Sequence, residues 1–173
     1  MKTQLNIYTM ILDQQERYHL LLALDTKENK ADAYYLNHLL NEDVNTYDEQ
    51  IGKLFRNQPD YHLILKAEAL VKLTDQLDGI VVDKNTLNGI QALDCARKGK
   101  YMEVLDGIYQ ALLKKGNLLK IIPSLLSILK ESYETDMPLM DILKIAMGEI
   151  NDLSKWKVYI RDVNKDNLDK VLQ

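Results

Sequence analysis

Apolar residues recur along this chain at intervals that suit helices. Over residues 3–24, Ile7, Ile11, Tyr18, Leu21 and Leu22 fall near one face of an amphipathic helix. Asp25 or Thr26 can cap a second helix running to about residue 41, with Tyr35, Leu36, Leu39 and Leu40 turned inward. Thr46-Tyr47-Asp48-Glu49 fits a capping box, in which the hydroxyl and the carboxylate each satisfy a backbone N–H. It predicts a short third helix carrying Ile51, Leu54 and Phe55.

Pro59 and Asp60 mark the start of a fourth helix, striped by Leu63, Leu70, Leu73 and Leu77 and stopped near Gly79. Asp83 can cap a fifth that closes at Gly99, and a sixth spans 100–115, where Lys114 and Lys115 complement the helix dipole. Asn117 begins a seventh, kinked or delayed by Pro123, and Asp136 with Pro138 begins an eighth. In the tail, Leu153, Trp156, Ile160 and Val163 share a helical face, although Trp156, Val158 and Ile160 also alternate as a strand would. A lone strand in a helical chain would leave its backbone unpaired, so the helix is preferred. The pattern as a whole predicts an all-α fold: one antiparallel bundle of seven to nine helices over residues 1–173, with helices four to eight as the main core. Residues 151–173 are a candidate docking or dimerisation tail.

Composition narrows the function classes. The net charge of −4 gives no electrostatic reason to bind nucleic acid, and only four of the 22 basic residues are arginines suited to bidentate grips on phosphate. The single cysteine, Cys95, cannot form an internal disulfide. Asn6, Asp13, Gln14 and Gln15 interrupt the N-terminus where a signal peptide would be apolar. The greasiest stretch, residues 118–129, is too short to span a bilayer and carries Lys120 and Pro123. A cytoplasmic protein with no membrane segment is expected.

Candidate chemistry begins with paired carboxylates. Asp75-Gln76-Leu77-Asp78 followed by Glu103-Val104-Leu105-Asp106 resembles the ExxE and ExxD pairs with which helical nucleotide pyrophosphohydrolases hold magnesium. The resemblance implies a magnesium-dependent nucleotide hydrolase using Asp75, Asp78, Glu103 and Asp106. It departs from that pattern in its Asp/Asp first pair and in the whole predicted helix between the pairs. With 26 acidic residues such spacings also arise by accident. Glu16 and His19 form one ExxH, but a di-iron bundle needs two. Cys95 sits mid-helix with Ala92 and Ala96, the setting of a small core residue rather than an activated thiolate. No glycine-rich phosphate loop, GxSxG or HExxH occurs.

Residues 99–112, GKYMEVLDGIYQAL, resemble the second half of a tetratricopeptide repeat, with Tyr101, Val104, Leu105, Ile108, Ala111 and Leu112 at its small, aliphatic and aromatic positions. That resemblance implies a helical-hairpin array with a concave surface for a peptide or partner protein. Ten tyrosines against one Phe and one Trp also suit half-exposed seams. Binding is therefore expected rather than catalysis, without cofactor or metal. The expected partner is another protein, a peptide or a second copy, and nucleic acid is disfavoured. Tyr34, Tyr35, His38, Tyr47, Trp156 and Ile160 are the candidate interaction surface, with Trp156 the anchor of a homodimer. The nucleotide hydrolase is the alternative.

Overall fold

The computed structural model describes residues 3–14, 16–37, 47–55, 58–115, 122–130, 133–144, 153–164, 166–167 and 170. It overturns the all-α expectation, both as a bundle and as a helical-hairpin array. The elements are β1 (Gln4–Leu12), β2 (Arg17–Asp25), β3 (Lys30–Tyr35), α1 (Tyr47–Phe55), β4 (Tyr61–Lys66), α2 (Ala67–Gln76), β5 (Ile80–Val82), β6 (Asn85–Leu87), α3 (Gly89–Arg97), α4 (Tyr101–Lys115), α5 (Ile122–Leu129), β7 (Tyr133–Thr135), α6 (Leu139–Lys144), a 3-10 turn (Leu153–Lys155) and β8 (Lys157–Asp162). Six strands form one mixed sheet in the order β7-β4-β1-β2-β3-β8, and β5-β6 is a separate hairpin.

The first two predicted helices are strands for a physical reason. Strands β1 and β2 sit inside the sheet and are covered on both faces, so their apolar residues run together rather than alternate. Asp25 is the decisive ambiguity. Its Oδ1 accepts the N–H groups of Lys27 and Glu28 at 3.0 Å each, the same bonds a helix cap would make. Here they tighten the β2–β3 turn, which Asn29 completes at φ 49. Asp83 and Lys84 likewise adopt φ 48 and 67, the paired positive values of a two-residue hairpin turn, so Asp83 joins β5 to β6 instead of opening a helix. The cap of α3 is Asn88, in a reciprocal capping box with Gln91. The sixth predicted helix survives as α4, with Tyr101, Val104, Ile108 and Ala111 buried. Thr46 lies outside the described residues.

Alternate strand residues point to opposite faces, and each face has its own core. On one, Ile11, Tyr18 and Leu20 pack with Leu70 and Leu77 of the α2 region, Ala92 and Ala96 of α3, and Val104 and Ile108 of α4. On the other, Tyr8, Met10 and Leu21 pack with Ile51 of α1, which is fully buried. The result is a sheet between helical layers. The tail forms β8 rather than a helix, and its backbone partner is β3, in parallel register Lys30↔Lys157 to Tyr35↔Asp162.

Candidate functional site

Strands β1, β3, β4 and β8 run in one direction, so their carboxyl ends share one edge of the molecule, where open α/β sheets hold ligands. Three tyrosines stack there. The Tyr101 ring, from the first turn of α4, lies 4.5 Å from that of Tyr18 and 5.2 Å from that of Tyr35. Burial raises the pKa of all three phenols, helped by Glu16 at Tyr18 and by Asp162 and Glu16 at Tyr35, which is pushed up to about 12. They stay neutral at physiological pH and supply no base. The Tyr101 hydroxyl is buried without a hydrogen-bond partner among the described residues.

Beside the stack, Arg97 at the end of α3 donates Nε–H and Nη2–H to the two oxygens of Asp13, each at 2.7 Å. This bidentate pair holds the Asp13 carboxyl below the usual range and the guanidinium above its own. The Asp13 side chain is 2% exposed and that of Arg97 35%. The arginine's charge is thus matched by the chain itself.

The residues singled out from sequence divide between locations. Tyr34 and Tyr35 point to opposite faces of β3: Tyr34 packs on Phe55 at 5.2 Å, whereas Tyr35 joins the stack. Tyr47 opens α1, its side chain outside the described residues, as is His38. Trp156 is only 6% exposed. Ile160 lines a groove of about 450 Å³ with Val158 of β8, Met102, Glu103, Asp106 and Tyr109 of α4, and Val81, Val82 and Asp83 at the β5–β6 turn.

The paired carboxylates of the hydrolase alternative take separate roles. Asp75 Oδ1 accepts the Gly89 N–H at 2.7 Å and so fixes the start of α3. Asp78 turns the chain at φ 61. Glu103 and Asp106 face the groove. Among the described residues no three His, Cys, Asp or Glu side chains gather as a metal site requires. Glu16 and His19 lie on a loop and a strand, where three-residue spacing no longer gives one face. His19 is buried, with Nδ1 2.7 Å from the Tyr8 hydroxyl.

No protein-family model matches the chain, and no curated protein does. Solved structures do. TagT bound to LI-WTA superposes with a TM-score of 0.70 at 15% identity, covering 99% of this chain and 88% of that one. The transcriptional regulator EF0465 from Enterococcus faecalis gives 0.67 at 16%, covering 92% and 76%. The transcriptional regulator yvhJ from Bacillus subtilis gives 0.66 at 15%, covering 99% and 95%. The likeness is one of fold. The neighbours' names do not agree on an activity, and fold does not fix function.

The Asp13–Arg97 pair and the tyrosine stack escaped sequence reasoning because their members are distant along the chain. The one available signal was that arginine is scarce, which makes each of the four worth locating. No described helix is long and apolar enough to cross a membrane.

Proposed function

We propose that this chain is a non-catalytic binding module that recognises another protein and alters its activity. What supports the reading is the state of the strand carboxyl ends. Among the described residues, the Tyr18, Tyr35 and Tyr101 rings pack together at the ends where such sheets receive a ligand, and Arg97 is bound to Asp13. A reaction centre needs donors or charges held ready for the substrate. Arg97 and Asp13 satisfy each other, and burial keeps the three phenols neutral. Incubation with magnesium and nucleoside triphosphates should give no product and no rise in thermal midpoint. Turnover that disappears in Arg97→Ala would overturn the proposal.

A second reading follows from the partial exposure of Arg97 and from the fold on which TagT is bound to LI-WTA. In it, an anion displaces Asp13 and takes the guanidinium. A saturable thermal shift with LI-WTA, lost in Arg97→Ala, would favour it over the first.

A further inference from the structure

Strand β8 closes one edge of the six-stranded sheet, and no described strand lies beyond it. Its hydrogen-bond phase is fixed by two bonds, Lys157 N–H to the Asn29 carbonyl at 2.8 Å and Val163 N–H to the Tyr35 carbonyl at 3.0 Å. In a parallel ladder a residue sends its N–H and C=O to the same side, and successive residues alternate. Lys157, Tyr159 and Arg161 therefore bond to β3. Val158 and Ile160 direct their amides and carbonyls outward, away from the sheet.

The same two residues send their side chains into the groove against α4. On its rim Glu103 and Asp106 are exposed, and neither joins a salt bridge among the described residues. Asp83 differs, being paired with Lys100. The backbone edge, uncovered by any described strand, and the acidic, half-apolar groove thus lie side by side. Exposed edges usually carry a charge or a covering element that discourages pairing. Lys157 and Arg161 supply that on the opposite face, where Arg161 bonds Asp32 at 3.1 Å and lies over the exposed Tyr159 ring. The groove face carries the exposed acids Glu103 and Asp106 beside the Asp83–Lys100 pair.

We propose that the β8 edge accepts an extended segment of another protein, added as a further strand, with lysine or arginine at the alternate positions that face Glu103 and Asp106. The occupant is set by two complementarities. The outward amides and carbonyls of Val158 and Ile160 need backbone partners, which only an extended chain supplies in register. The two carboxylates need cations on the groove face of that chain, and strand periodicity places them at every second residue. A second copy fits worse. Antiparallel β8–β8 pairing about an axis normal to the sheet brings the acids of both copies onto the same face. This assignment rests on the non-catalytic reading and names its partner class.

The test uses the full chain and synthetic peptides, read by fluorescence anisotropy. A peptide alternating lysine and threonine should bind saturably, and one alternating glutamate and threonine should not. Glu103→Lys with Asp106→Lys should weaken the first by about tenfold or more. Ile160→Pro should abolish binding, because proline removes an N–H that β3 does not use and is tolerated at such an edge position. N-methylation of alternate lysine-peptide amides should do the same without altering the protein. Equal affinity of the N-methylated peptide, or of the glutamate peptide, overturns strand addition. So does a dimer in sedimentation that survives the charge reversal but not Ile160→Pro, since a second copy then fills the edge. Arg97-dependent turnover would fail the non-catalytic reading through a different variant and readout, leaving the peptide result to be judged separately.

Discussion

Arg97 and Asp13 lie 84 residues apart in the chain and meet through two 2.7 Å bonds, tying the end of α3 to the β1–β2 turn. The Gln14 N–H also reaches Asp13 Oδ1 at 2.7 Å, so this carboxylate is held from two sides. Its pKa is lowered in the fold, chiefly by the Arg97 hydrogen bonds. An unfolded aspartate titrates near about 3.9. The pair therefore stabilises the protein above that pH and loses its contribution as pH falls through the lowered folded value. Asp13→Asn should reduce the urea midpoint at about pH 7 and converge on the parent in strong acid. A constant deficit across that range would show that the charge is not what matters.

His19 adds to the loss on the acid side of the pH curve, over a higher range. Burial, with Arg17 nearby, pushes its pKa down to about 4 from an ordinary 6.5. The unfolded ring then takes up its proton first as the solution is acidified. Stability should fall between about pH 6.5 and pH 4, by up to about 2 kcal/mol once partial solvent access is allowed for. The His19 ring signals should titrate near the lower value by NMR, and His19→Gln should flatten this part of the stability profile. Titration near 6.5 in the folded protein would remove the effect.

The second half of the chain was more legible in sequence than the first, and the reason is the range of the contacts. Helix α4 was readable because its ends are local events: Gly99 at φ 88 before it, and a stripe of Tyr101, Val104, Ile108 and Ala111 within it. Strand β3 depends on β2 and on β8, and the Lys30↔Lys157 register is invisible to any short window. Asp25 misled because a carboxylate accepting N–H groups two and three residues ahead serves a turn or a cap equally well, and Asp83 because aspartate suits a positive-φ hairpin turn as readily as a helix N-cap. The alternation of Trp156, Val158 and Ile160 was present, but a strand with no visible partner is indistinguishable from a misread helix. The site was legible in fragments. Ile160 and the Glu103/Asp106 pair could each be named, whereas their meeting in one groove needed the fold.

Two glycines should respond differently to a methyl group. A Cβ on Gly89 would stand 2.2 Å from the Val71 carbonyl oxygen, where α3 begins against α2. No flexible side chain can yield there, so Gly89→Ala should cost at least about 1–3 kcal/mol through a forced backbone shift. Gly99 has nothing within 4 Å of the same position but adopts φ 88. Gly99→Ala should cost about 1 kcal/mol, from conformation alone. Urea denaturation of the two variants orders them. If Gly99→Ala is the more damaging, the close approach of α2 and α3 is not as tight as described.

Tyr101 separates the worth of its ring from that of its hydroxyl. The residue is 2% exposed, it contacts both Tyr18 and Tyr35, and its hydroxyl oxygen has no hydrogen-bond partner among the described residues. Burial keeps the phenol protonated. Removing the ring leaves a cavity beneath the strand carboxyl ends, and Tyr101→Ala should cost about 3–5 kcal/mol. Removing only the hydroxyl takes away a desolvated group that gains nothing in return. Tyr101→Phe should therefore leave stability within about 1 kcal/mol of the parent or raise it. That outcome fits a stack that serves as filling rather than as part of a reaction centre. Were Tyr101→Phe instead clearly destabilising, while its near-ultraviolet signal showed the rings still stacked, the hydroxyl would have to be held by a bound polar group. The strand carboxyl ends would then be an occupied site, and the non-catalytic reading would lose its main support.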